Sequence, residues 1–228
     1  MNQHLQQQPG SGRLLVTSLL FFGLVSISLL QARAMAEVRS PWQVVEAGIA
    51  DLTVAFEENK GQFNQHPDQL YRALDDAMES YVDFRYISAR VMGGRYFRAA
   101  TPEQRSRFAE VFRSTLVRTF GQGLMNFDYQ AFDLVFRERP ARFEDQDNVE
   151  LEVVAADGKR YPVVFTLRRH NDEWKIINLI VNGVNLGLTF NSQFDRAMRE
   201  HNRDFDRVIN NWSPDQALEE IQSQDEDA

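Results

Sequence analysis

Cysteine is absent from the 228 residues, which excludes disulfides, thiol nucleophiles and attachment of a lipid through a thioether. Histidine is scarce. Beyond His4, the chain has only His66, His170 and His201, and none has metal-ligand spacing to another histidine or a carboxylate pair, which argues against a zinc site. No G-x-S-x-G turn is present to expose a nucleophilic serine. Gly93-Gly94-Arg95 and Gly121-Gln122-Gly123 lack the remainder of any phosphate-binding fingerprint. Asp145-Gln146-Asp147 begins like a calcium loop, but the glycine and terminal glutamate do not follow, so it reads as an acidic turn. No internal repeat is visible, and no residue pattern implies a cofactor. Basic residues are also outnumbered, at 25 against 33 acidic. Nucleic acid needs the opposite balance for counterion release, and so does docking on anionic head groups.

One long apolar run is present. Leu14 to Leu30 carries no charge, follows a polar start containing Arg13, and precedes two small-x-small sites, Ala32-Arg33-Ala34 and Ala34-Met35-Ala36. This order predicts a signal peptide over residues 1–36 that is removed on export. The other reading of the run is an uncleaved anchor at the short limit of a membrane span. Removing residues 1–36 takes away two arginines and no acid, leaving 23 basic against 33 acidic residues, a net charge of −10. What remains is long enough for one domain with a sizeable core. The 17 phenylalanines supply much of its apolar area.

The spacing of apolar residues predicts helices in the first half, strands in the middle and helices again at the end. Ser40-Pro41 starts a helix bearing Trp42, Val45, Ile49, Leu52 and Phe56, and Gly61 breaks it. A second helix starts near Pro67-Asp68 with Leu70, Leu74, Ala77, Met78 and Tyr81 on one side. A short one from Tyr86 to Met92 is expected to stop at Gly93-Gly94. Thr101, Pro102 and Gln104 form a capping box opening a helix with Phe108, Val111, Phe112, Leu116 and Phe120 on its stripe. From Phe132 the period becomes two. Four strands are predicted at Phe132–Glu138, Val149–Ala155, Tyr161–Arg168 and Trp174–Val181. Asp157-Gly158 reads as a type I′ turn, and Asn171-Asp172 as a second hairpin turn. After Gly183 helical spacing returns through Leu186, Phe190, Phe194, Ala197 and Met198, with a short last helix at Phe205 to Ile209. The fold class is therefore α+β around an antiparallel meander. One domain is expected over 37–212, with an acidic disordered tail over 213–228.

The last predicted strand is apolar on both faces. Trp174, Ile176 and Ile180 alternate with Ile177, Leu179 and Val181. Such a strand needs cover on both sides, either from helices or from something bound. Helices that wrap a curved sheet without closing fully would leave an apolar pocket.

Several segments together resemble the MlaC family of periplasmic phospholipid-binding proteins, also called toluene-tolerance auxiliary components. They are Val82-Asp83-Phe84 leading to Ile87 through Gly93, Gly94-Arg95-Tyr96-Phe97-Arg98, and Ala100 through Arg105 with Phe108 and Phe112. Leu116 to Phe120, Val163 to Arg168, Trp174-Lys175-Ile176, Val181 to Leu186 and Asn191 to Phe194 continue in the same order. The likeness runs from about Trp42 to Ile209. Phe97 departs from the tryptophan often found in the motif, and the acidic tail has no counterpart. The resemblance implies a small twisted sheet of about four strands, wrapped by helices that enclose an apolar lipid pocket. It implies a carrier, not an enzyme, located in the periplasm and maintaining outer-membrane lipid asymmetry. Its partners would be phospholipid, an inner-membrane ABC transporter complex and an outer-membrane lipoprotein–porin complex.

Within that frame, Val163, Phe165, Leu167, Ile177, Leu179 and Val181 are the expected sheet walls of the pocket. The expected helical walls are Phe112, Leu116, Phe120, Phe190 and Phe194. Arg90, Arg95, Tyr96 and Arg98 form a basic-aromatic cluster that could meet a lipid phosphate. Two other functions fit parts of the same pattern: a periplasmic binding protein for another apolar small molecule, and an enzyme on a cone-shaped fold. The enzyme needs a carboxylate or histidine in the pocket, and the apolar strand faces contain none.

Overall fold

Capping side chains set where the helices begin. In the computed structural model, which describes residues 39–126, 132–137 and 143–214, Ser40 and Gln43 cap one another's backbone N–H groups at 3.3 and 2.8 Å. That box opens α1 (Pro41–Asn59), which runs into a single 3-10 turn at Lys60–Gln62. Pro67 starts α2 (Pro67–Glu79). Asp83 accepts from the Tyr86 N–H at 2.9 Å and caps α3 (Phe84–Ala99). Thr101 and Gln104 form the second capping box, at 3.2 and 3.1 Å, ahead of α4 (Pro102–Asn126).

The helix expected to stop at Gly93-Gly94 bends there and continues. Gly93 sits at φ 68°, ψ 157°, a conformation that glycine adopts without a Cβ penalty. The break exposes the carbonyls of the preceding turn, and Asn191 Nδ2 donates to two of them, Val91 O at 2.9 Å and Arg90 O at 3.3 Å.

Five strands follow in the order β1-β2-β3-β4-β5, each antiparallel to the next: β1 (Phe132–Arg137), β2 (Gln146–Ala155), β3 (Arg160–His170), β4 (Glu173–Val181) and β5 (Val184–Asn185). The acidic turn expected at Asp145-Gln146-Asp147 runs directly into β2, with Asp147 buried. The β2–β3 connection differs from the expected type I′ turn. Gly158 N donates to Ala155 O at 2.8 Å, Ala155 N donates to Lys159 O at 2.9 Å, and only Gly158 of the Asp157-Gly158 pair has positive φ. This is a three-residue loop closed by a glycine bulge. Asn171 and Asp172, at φ 51° and 62°, make the two-residue turn between β3 and β4. Asn182-Gly183, at φ 48° and 84°, makes another and adds β5, a strand the period-two reading missed because it is two residues long.

Asn185 caps α5 (Leu186–Glu200) by accepting from Leu188 N at 3.2 Å. The chain turns once more into α6 (Phe205–Asn210). The two segments read as signal peptide and acidic tail lie outside the described residues, except that Ser213 and Pro214 are described and Pro214 is buried.

Two apolar cores result. One is helical, centred on Leu70, Leu74, Phe108, Phe112, Phe194 and Met198, all fully buried. Trp212 joins it, with ring centroids 4.8 Å from Phe112 and 5.6 Å from Phe190. The other packs α1 on the sheet through Val45, Tyr81, Leu151, Val163, Leu167 and Trp174. Val82 packs against both.

Candidate functional site

Residues of both cores face a shared cavity of about 730 Å³. That lies in the upper part of the range of roughly 300–1,000 Å³ typical of ligand pockets. The helices contribute Val45, Ile49 and Leu52 from α1, Phe84 and Ile87 from α3, and Phe112, Leu116, Phe120 and Leu124 from α4. Val153, Val163, Phe165, Ile176, Leu179 and Val181 form the sheet wall, and Phe190 and Pro214 close the C-terminal side. Among the described residues, none that lines the cavity is charged; Tyr81, Thr119, Tyr161, Asn178 and Asn182 are the polar members. Val45, Phe84, Phe112 and Val163 are buried and mark the deep end, whereas Phe120, at 40% exposure, and exposed Gly123 mark a mouth beside the end of α4.

Ion pairs stand behind this wall. Arg113 packs its guanidinium 5.5 Å from the Phe84 ring centroid and hydrogen-bonds Asp75 and Glu79. The Asp75 hydrogen bond holds the arginine proton more firmly than usual, against the opposing effect of burial. Asn178 Oδ1 accepts from Gly187 N at 3.1 Å and so ties β4 to the start of α5. Among the described residues, no group of three His, Cys, Asp or Glu could hold a metal. None of their helices is long and apolar enough to cross a membrane. The apolar lining suits the cavity to enclose hydrocarbon.

Eight of the eleven expected wall residues face the cavity: Phe112, Leu116, Phe120, Val163, Phe165, Leu179, Val181 and Phe190. Three do not. Leu167 is fully buried between α1 and the sheet. Phe194 is fully buried in the helical core, 4.8 Å from Phe108 between ring centroids. Ile177 is displaced by a bulge. Thr166 pairs with Asn178 but Leu167 pairs with Ile176, so Ile177 is the extra residue and strict alternation fails there. Ile176 consequently takes the wall position that alternation assigned to Ile177. The proposed head-group cluster also lies elsewhere. Arg90, Arg95 and Arg98 are exposed on α3, and none of them lines the cavity. Tyr96 is buried and donates its hydroxyl to Asp195 Oδ1 at 2.9 Å; burial first, and that bond second, push its pKa up. Val45, Ile49 and Leu52 of α1 stand on the helical stripe that the sequence shows, but are not among the expected wall residues. Tyr81 reads in the sequence as the end of a helical stripe, but the helix stops at Glu79, and Val82 opens a family-like segment; neither is among the expected wall residues.

The family description "MlaC protein" matches residues 46–214, which include all the elements that line the cavity except the start of α1. The chain belongs to the MlaC family. A relative from Pseudomonas putida, "Toluene tolerance protein ttg2D", is 34% identical over 177 residues, covering 77% of this chain and 80% of its own length. "Intermembrane phospholipid transport system binding protein MlaC" from Haemophilus influenzae is 25% identical over 164 residues, covering 69% and 74%. A solved structure of a phospholipid-binding protein from Ralstonia solanacearum, in complex with a phospholipid, superposes with a TM-score of 0.64 at 18% identity. It covers 78% of this chain and 97% of its own, and at that identity the likeness establishes the MlaC-like fold.

Proposed function

We infer that this protein is a periplasmic carrier that holds one phospholipid with its acyl chains in the cavity and its head group at the mouth. In this reading it shuttles lipid between an outer-membrane complex and an inner-membrane ABC transporter complex. The observation that carries the inference is the uncharged wall of the 730 Å³ cavity, and membership of the MlaC family supports it.

The physical need for such a carrier is large. A two-chain phospholipid has about 30 methylenes, so exposing them to water costs on the order of 24 kcal/mol at ~0.8 each. Taken as a barrier, that corresponds to spontaneous escape at roughly 10⁻⁵ per second. An apolar cavity lowers this barrier without making or breaking a covalent bond, so it needs no catalytic side chain. Native mass spectrometry of the mature protein after mild purification tests the reading. Co-purified phospholipid, and transfer of labelled phospholipid between separated vesicle populations, are the expected results. A cavity that takes only single-ring solutes would instead favour the binding protein for another apolar small molecule.

A further inference from the structure

Tyr81 is a wall residue held in place from three sides. Its backbone is fixed to the sheet: Ile176 N donates to Tyr81 O at 2.8 Å and Asp83 N donates to Ile176 O at 3.0 Å, beside the β4 bulge. Its ring lies over Gly48 in α1. A Cβ at that glycine would sit 3.0 Å from Tyr81 Cγ and within 3.4 Å of both Cδ atoms. Its hydroxyl donates to the carboxylate of Asp51, one turn further along α1 and exposed. The ring thus reaches from the cavity lining to the protein surface, and it is only 8% exposed.

The position of this ring matters because of its neighbours. Val45 and Gly48, which also line the cavity, are buried, and Tyr81 and Val45 belong to the core packed between α1 and the sheet. Tyr81 therefore belongs both to the cavity lining and to that core. Most apolar wall residues can change rotamer when a longer ligand pushes on them. A ring backed by helix backbone on one face, and tied at its tip to Asp51, has far less freedom to yield.

We propose that Tyr81, seated on Gly48 and tethered by Asp51, is the floor of the cavity and sets the acyl-chain length that the carrier accepts. The proposal rests on the phospholipid-carrier reading above. A phenol ring removed at interior packing density leaves room for roughly three methylenes. Each methylene newly accommodated raises affinity for the longer lipid about fourfold. Tyr81→Ala should therefore favour longer chains by more than tenfold over the wild type. Gly48→Ala should act in the opposite sense and more weakly, because its Cβ moves the ring toward the cavity by only a few tenths of an ångström.

The test is a competition. Delipidated full-length mature protein is mixed with vesicles containing equal amounts of saturated phosphatidylglycerols graded from dilauroyl to diarachidoyl, and the bound lipids are read by native mass spectrometry. Melting temperature is measured alongside, and Tyr81→Leu serves as a milder variant if Tyr81→Ala does not fold. Longer chains in the Tyr81 variants together with shorter chains in Gly48→Ala support the proposal. Identical chain profiles in the wild type and the folded variants overturn it while leaving the carrier reading intact. A wild type that takes up none of these lipids overturns both.

Discussion

A charge placed on the cavity wall separates ligand binding from folding. Phe165 lies in the middle of β3, opposite Val149 in β2 and Leu179 in β4, with its ring on the cavity side and partly accessible. In Phe165→Asp the new carboxylate can be hydrated while the cavity is empty, so the cost to the fold is modest. Loading hydrocarbon against it removes that hydration, or forces it to take up a proton, at a cost of several kcal/mol. Contacts of the lost ring add about 1.5–3 kcal/mol. Together these lower affinity by more than about a thousandfold, since each 1.4 kcal/mol is a factor of ten. Ile177→Asp is the matched control on the neighbouring strand. The bulge removes it from the wall, so it should leave loading unchanged. Phospholipid bound per protein is counted by native mass spectrometry, with circular dichroism to establish that both variants fold. A folded Phe165→Asp that retains its lipid would refute the wall assignment. Loss of lipid in Ile177→Asp would refute the register.

Gly93→Ala should destabilise the protein by about 1–3 kcal/mol, the cost of holding a side chain in a backbone region that is essentially restricted to glycine, measured by urea denaturation. Asn191 stands 3.0 Å from where the new Cβ would lie, which adds to that cost. Glu152 bridges Arg160 at 2.6 Å and Arg137 at 2.5 Å, and the Arg160 bond first, with the Arg137 bond and charge, holds its carboxyl below the ordinary 4.5. A lowered folded-state pKa gives stability that is present above the ordinary value and lost as pH falls through the folded one. Thermal melts of wild type and Glu152→Gln should therefore differ near neutral pH and converge in strong acid. Trp212 packs against Phe112 at a tilt and Phe190 edge-on, two cavity residues, so delipidation should change tryptophan emission, and Trp212→Phe should remove most of that change.

Much of the architecture was legible because it depends on local chemistry. Ser40 and Thr101 announced their helices through short-range hydrogen bonds, and the strands from Val149 to Val181 declared themselves by alternation. What escaped was whatever one extra residue or one remote partner decides. The bulge at Ile177 shifts the face of the β4 residues before it relative to Leu179 and Val181, and nothing in the run of isoleucines marks it. Asn182-Gly183 carried a strong turn signal, but the strand beyond it is too short to show a period. Arg90, Arg95 and Arg98 are basic and close in sequence, yet the bend at Gly93 and the exposure of α3 place them away from the cavity. Whether Phe112 and Phe194, both fully buried, border a space or only other side chains depends on how the surrounding helices and sheet pack. Hydrophobicity is the same in either case.

The size of the cavity also constrains the unloaded protein. At about 24 cal/mol per Å³, a dry void of this volume would cost on the order of 17 kcal/mol, more than the roughly 5–15 kcal/mol by which whole domains are stable. An empty, waterless form is thus not a state this fold can occupy. Unloaded, the walls must move inward or admit water through the opening beside Phe120 and Gly123. The release of one cargo is therefore coupled to a change in the shape or hydration of the carrier, and the unloaded form is the more easily unfolded of the two.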